Sequence, residues 1–239
     1  MSIQEKIDEV LKKESERERK PSGKFSPSRF GRCYRFQYWK RKGEKESNLP
    51  DDRALRVFKV GNIFHDFVEG FMDGDYEKEV RIETEDILGY ADLIGKDEAV
   101  DIKSQHSKAF WYMEKEGNDI AKEKYTNWLQ VAWYAWTKAK EWCRLVFVSK
   151  DDLCIKEYTM PTAKWISELE KELATLRKHW VKQELPPALP RAYGGKECEY
   201  CSYRDRCSDK PPPSEPKKKK GLINTLYPKG KEKKENVST

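Results

Sequence analysis

The chain has 239 residues, 38% of them charged, and Lys plus Arg exceed Asp plus Glu by six. No stretch reaches the ~20 apolar residues of a membrane span and there is no GxxxxGK[ST] phosphate loop, so a membrane-embedded protein and a P-loop ATPase are both excluded. Eight Trp, twelve Tyr and nine Phe supply a core for a chain of this length, which excludes disorder throughout.

The first twenty residues lack the apolar h-region of a signal peptide, so a reducing, cytoplasmic location is expected. Ile3, Ile7, Val10 and Leu11 share one face of a predicted helix over 3–19. Ser26-Pro27 reads as an N-cap followed by the first residue of a helix that runs to Lys42 and stops at Gly43. Between Arg29 and Lys42 there are six basic residues and no acid, with Phe30, Tyr34, Phe36, Tyr38 and Trp39 interleaved. Such a strip suits DNA, with Arg32 and Arg35 as candidates for phosphate contact and aromatic faces for stacking. Taken alone, the strip reads better as an amphipathic helix whose aromatics lie in the core and whose charges lie in solvent. A further helix starts near Asp51-Asp52 and carries Leu55, Phe58, Ile63, Phe64, Phe67 and Phe71 to Gly74. From Asp66 to Asp86 nine acids face two bases, which predicts a cation site beside a polyanion site.

Strands are predicted over 76–82, 87–94 and 99–104, then a helix over 119–141, strands over 144–148 and 154–160, and a helix over 162–184 capped by Thr162. Residues 185–190, rich in Pro, end it. The order implies an α/β fold, a central mixed β-sheet flanked by helices. The expected organisation is a helical extension (1–24), the sheet domain (25–190), a cysteine-rich module (191–207) and a Lys/Pro-rich tail (208–239). The tail holds nine Lys against four acids, so the body is close to neutral and the tail reads as disordered.

The segment GYADLIGKDEAVDIKS, 89–104, carries the chemistry. Gly95-Lys96-Asp97-Glu98 is a turn between two apolar strands. If Ile94 pairs with Ala99, Asp92 lies opposite Asp101, about 5 Å away at Cβ. Two carboxylates in an apolar setting are costly unless a cation lies between them, and hard oxygen ligands suit Mg²⁺ or Mn²⁺. Lys103 follows Asp101 by two and projects from the same face. The three would cleave a phosphodiester. His65 and Glu69, and Gln130 and Tyr134, are i,i+4 pairs on the helices flanking this hairpin.

Of six cysteines, Cys143 and Cys154 read as core thiols, whereas Cys198-x₂-Cys201-x₅-Cys207 forms a ligand cluster in a polar loop. Three local thiols need a fourth, and Cys33 is the best candidate. Zinc and an iron–sulfur cluster both fit this one-plus-three spacing.

Together these segments resemble the RecB-like branch of the PD-(D/E)xK nucleases, with its restriction-endonuclease-like core. In particular they resemble the CRISPR-associated iron–sulfur exonucleases, the fourth of the numbered Cas families. Phe25-Ser-Pro-Ser28 with Cys33-Tyr-Arg-Phe36 resembles the first cysteine motif, and Gly61-Asn-Ile-Phe-His65-Asp-Phe-Val-Glu69 the histidine motif. Gly89-Tyr-Ala-Asp92-Leu-Ile94 and Val100-Asp101-Ile102-Lys103 resemble the second and third, Gln130-Val-Ala-Trp-Tyr134 the Q-x-x-x-Y motif, and the last three cysteines the terminal trio. Tyr34 stands where the family usually has Pro. The resemblance implies that His65, Asp92, Asp101 and the Ile102 carbonyl hold a catalytic Mg²⁺ or Mn²⁺ and that Lys103 assists the attacking water. It implies that Gln130 and Tyr134 support the site and touch DNA, and that Cys33, Cys198, Cys201 and Cys207 hold a four-iron–four-sulfur cluster. The expected function is a metal-dependent exonuclease on single-stranded DNA ends. Its setting would be CRISPR spacer acquisition beside an integrase complex, or the DNA of a virus or mobile element, without ATP or membrane. The rival is a non-catalytic DNA-binding clamp with a structural metal held by the four cysteines.

Overall fold

A computed structural model of the chain describes residues 1–16 and 21–207. The Lys-rich tail and the end of the first predicted helix lie outside the described residues. α1 (Ile3–Glu16) packs on α3 (Asp52–Glu69) through Leu11, with Arg56 paired to Asp8 and Lys59 to Glu14. Asp51 caps α3 by accepting from the Ala54 N–H at 2.7 Å.

Five strands follow one another across a mixed sheet: β1 (Glu77–Glu83), β2 (Leu88–Ile94), β3 (Glu98–Gln105), β4 (Trp142–Ser149) and β5 (Ile155–Pro161). β3 and β4 are parallel and every other neighbouring pair is antiparallel. The crossover between β3 and β4 carries α4 (Ser107–Tyr112), α5 (Ile120–Glu123) and α6 (Tyr125–Thr137). A parallel pair needs such a crossover because its strands must run the same way. α7 (Ala163–Val181) and α6 cover one face of the sheet, where Trp128, Leu129, Leu145, Phe147 and Leu169 build the main core. α3 covers part of the other face through Phe64 and Val68, over Leu93, Val100, Ile102, Val146 and Val148. No helix is long and apolar enough to cross a membrane among the described residues.

The strands lie within two residues of the expected bounds, and the predicted Ile94–Ala99 pairing is present, with the Gly95 N–H donating to Glu98 across the turn. Three expectations need correction. The helix from Ser26 is a 3-10 turn, Pro27–Arg29, interrupted at Gly31 (φ 76°), and α2 proper is Tyr34–Lys42. The 119–141 helix breaks at Lys124 and ends at Thr137. Thr162 makes no side-chain capping bond at α7. On α3, Phe58, Ile63 and Phe67 are exposed, as is Phe71 just beyond it, since only the Phe64 and Val68 side meets the sheet. α4 has no counterpart in the prediction, because six residues are too short for a helical period to show.

Candidate active site

The β2–β3 hairpin positions the two central carboxylates, although not as a simple cross-strand pair. The ladder contains Ile94–Ala99 and Leu93–Val100 and does not continue to Asp92–Asp101. Instead the Asp92 carboxylate accepts the Ile102 N–H at 2.6 Å, doing with a side chain what a backbone carbonyl would do in a regular ladder. The side-chain alternation breaks at the same place. Ala91 and Ile94 both belong to the core beneath α6, while Leu93 lies beneath α3. Across from Asp92, Glu79 of β1 is missing from the β1–β2 ladder and holds a left-handed φ of 47°.

Asp101 is 0% exposed. One of its oxygens accepts from Lys103 Nζ at 2.7 Å, and the other, Oδ2, is buried with no hydrogen-bond partner. Burial pushes its pKa up to about 6, with Asp92 adding to the rise and Lys103 opposing it. Burial acts on Asp92 in the same sense, but His65, Lys103 and the Ile102 N–H outweigh it and hold that carboxyl below its ordinary value. Lys103 also donates to the Ile102 carbonyl at 3.2 Å. Burial works against its charge, and Asp101 and Asp92 more than restore it, so its pKa is raised.

α3 brings His65 and Glu69 to the same place through their i,i+4 spacing. His65 Nδ1 is 3.5 Å from Asp92 Oδ2. Burial lowers the His65 pKa, and the hydrogen bond and charge of Asp92 turn that into a net rise. One ligand atom each from His65, Glu69 and Asp92 lie within 4.8 Å of one another. Glu69 is 8% exposed, and its Oε1 is buried without a partner. Burial, then Glu79 and Asp92, push its pKa up to about 7. The expected ligand set left Glu69 out, although its spacing from His65 marked it as sharing that helix face. Asp101 is not part of the three-residue group.

Gln130 and Tyr134 lie behind the carboxylates on α6, both buried. Gly89 is required here: a Cβ on it would sit 2.8 Å from the Tyr134 ring and 2.9 Å from Pro27. Tyr134 is 2% exposed, so the expected contact with DNA is corrected to a place inside the core. The same correction applies to Arg35, 7% exposed, which donates to the Pro186 carbonyl and to Cys207 Sγ. Arg32 is held by Glu197 at 3.2 Å, with its guanidinium over the Phe36 ring. The basic–aromatic strip therefore serves packing, because α2 is enclosed between α7 and the cysteine segment.

Cys33, Cys198, Cys201 and Cys207 line one cavity with Phe36, Trp39 and Glu197. Glu197, almost fully buried, accepts from the N–H groups of Cys33, Arg191 and Ala192. Cys143 is a core thiol, as expected, and Cys154 is half-buried beside the same core.

No family model matches the chain, and no curated protein matches it. Among solved structures, that of SSO0001 is similar over 89% of this chain and 99% of that one, with 20% identity and a TM-score of 0.56. An alkaline exonuclease from Laribacter hongkongensis, LHK-Exo, matches over 68% and 96% at 15% identity, but its TM-score is 0.39. A phage related exonuclease from Haemophilus somnus 129PT matches over 75% and 81% at 13% identity, with a TM-score of 0.33. The last two scores fall short of a shared fold, and the likeness that stands is one of architecture, to SSO0001.

Proposed function

We propose that the protein is a divalent-cation-dependent DNA nuclease acting on strand ends. The observation that carries this reading is the buried Asp101 carboxylate with an orphaned oxygen, beside Asp92 and in contact with Lys103. A buried polar atom without a partner costs about 1–3 kcal/mol, and a charged one more. Hard cations offer what this oxygen lacks, and the donor set of carboxylates, a carbonyl and an imidazole fits Mg²⁺ or Mn²⁺. His65, Asp92, Asp101 and the Ile102 carbonyl are the residues that would hold it. The ion, when bound, would polarise a phosphoryl oxygen and lower the pKa of a coordinated water.

The chain's own residues do the rest. Asp92 is fixed by the Ile102 N–H, so its free lone pairs point consistently. Lys103 is charged and held against Asp101, from where it can orient a water or neutralise a phosphate oxygen. Gln130 and Tyr134 brace the hairpin from the α6 side.

The resemblance of the motifs extends the reading to single-stranded DNA ends and, in a CRISPR setting, to an integrase partner. It also assigns a four-iron–four-sulfur cluster to Cys33, Cys198, Cys201 and Cys207.

End-labelled single- and double-stranded DNA, incubated with Mn²⁺ or with EDTA, tests the activity. Wild type should shorten the label with Mn²⁺ only, and Asp101→Ala should lose at least a thousandfold. Cleavage in EDTA, or full activity in Asp101→Ala, would overturn the proposal.

A further inference from the structure

We propose that segment 222–227 of the Lys-rich tail docks back on its own chain, seated on an apolar stripe of α3 that borders the candidate active site. Val60, Ile63, Phe67 and, just past the helix, Phe71 recur at helical spacing and share one face. They are between 39% and 73% exposed, although side chains of this kind build cores elsewhere in the molecule. The Phe67 and Phe71 rings rest edge to face, with centroids 5.4 Å apart. α1 is fastened to the other half of α3, through Arg56 to Asp8 and Lys59 to Glu14. A contiguous exposed apolar surface marks an interaction site, whereas apolar residues scattered singly do not.

The sequence beyond the described residues carries a segment that fits. Leu222, Ile223, Leu226 and Tyr227 are, with Val237, all the large apolar side chains of residues 208–239. Set among lysines and prolines, they have no core of their own to enter. Lys217, Lys218, Lys219 and Lys220 precede them, and Lys229, Lys231, Lys233 and Lys234 follow. The stripe is bordered by the opposite charge. Asp66 and Glu79 line a cavity with Ile63 and His65, and Asp75 and Glu77 come soon after Phe71. None of these four carboxylates forms an ion pair among the described residues. Apolar side chains on the stripe would thus bring the flanking lysines to unpaired acids, a match in charge as well as in polarity.

The tail also starts in the right place. The Ser47 and Asn48 N–H groups donate to the Ser202 carbonyl at 2.9 Å, and Asn48 Nδ2 donates to Asp205 at 2.8 Å, so the described residues end beside the start of α3. At 1.5 Å per residue, Phe71 lies about 30 Å along from there. The fifteen residues from Cys207 to Leu222 span up to about 50 Å when extended. A tethered segment meets its site at an effective concentration of about a millimolar, which favours the chain's own tail over a second copy. Because Ile63 belongs to both the stripe and the cavity with His65, the seated segment covers the mouth of that cavity. The effect of this cover on cleavage, though not the docking, rests on the nuclease reading above.

Zero-length carbodiimide crosslinking of the full chain, read by mass spectrometry, tests the docking. A mixture of isotopically light and heavy protein separates links within one chain from links between two. Wild type should join tail lysines to Asp66, Glu77 or Glu79 within one chain. Leu226→Asp, and Phe67→Ser at an exposed position, should each reduce these links about tenfold, the equivalent of one buried apolar side chain. Circular dichroism reports whether each variant is folded. No links in wild type, or links unchanged in both variants, would overturn the seat on α3. Links between light and heavy chains would give the stripe to a second copy and overturn it likewise. On labelled single-stranded DNA with Mn²⁺, Leu226→Asp should cleave several times faster than wild type, and equal rates would overturn the cover over the cavity. No cleavage by either protein, with the links within one chain present, would instead sink the nuclease reading and leave the docking standing.

Discussion

Glu79 and Gly89 show how single positions are set by the site. A non-glycine residue at φ 47° carries strain of about 1–2 kcal/mol. Nothing in the core demands it, since the Glu79 side chain is exposed. Glu79→Gly should therefore raise stability by up to about 1 kcal/mol in urea denaturation, the relieved strain being partly offset by glycine's larger loss of chain freedom. A loss of stability would show that Glu79 is held by packing instead. Gly89 presents the opposite case. Its own backbone is ordinary, but Pro27 and the Tyr134 ring occupy the space a methyl group would need. Neither neighbour is the free end of a flexible chain, so Gly89→Ala should cost about 1–3 kcal/mol. It should also reduce cleavage by pushing Tyr134 and Gln130 away from the hairpin. Stability equal to wild type would mean that α6 can retreat.

At the scale of elements, α7 is fastened to the β1–β2 turn by Arg177, whose guanidinium grips both oxygens of Asp86 at 2.6 and 3.0 Å. Burial works to raise the Asp86 carboxyl, and Arg177 and Arg41 overcome it and hold it below its ordinary value of 3.8. A depressed carboxyl stabilises the fold above its unfolded value and loses that contribution as pH falls through the folded one. Asp86→Asn should thus cost stability at pH 7 and less at about pH 2. The cost should stay below about 1 kcal/mol, because Arg177 is half exposed and its pairing is screened. Urea denaturation at both pH values checks this, and an equal loss at each would assign the effect to packing.

The same scale explains what was legible beforehand. β-strands announce themselves through short apolar runs between turn residues, so all five strands and the Ile94–Ala99 register could be placed from sequence. The i,i+4 pairs on α3 and α6 likewise fell on the side that meets the hairpin. The break in alternation at Asp92 could not be read, because it depends on a carboxylate capturing the Ile102 N–H ten residues away. Which apolar face of α3 stays exposed could not be read for a related reason. Periodicity says which side chains share a face, not which face finds a partner.

At the scale of the whole molecule, two buried glutamates close the chain on itself. Glu172 of α7 accepts from the Gly31 N–H and from Gln37, and pairs with Arg191 at 2.7 Å. Glu197 accepts from Cys33, Arg191, Ala192 and Arg32. Both join segments more than 130 residues apart, a distance no local pattern spans. The four cysteines lie at the same closure, next to Phe36, Trp39 and Tyr203. Glu197 therefore holds Cys33 in place before any cluster is bound, and the cluster in turn would hold the closure. Glu197→Ala leaves four donors facing a buried hole, which should cost about 3–5 kcal/mol. If the proposed cluster is present, it should release iron together with stability. Cys33→Ala should do the same, while Asp101→Ala should keep its iron and its colour because the hairpin lies elsewhere in the fold. Iron content, visible absorbance and trypsin cleavage at Arg191 and Lys196 report on the three variants. Stoichiometric zinc in anaerobically purified wild type would remove the cluster from this account, and full iron in Glu197→Ala would remove Glu197 from it.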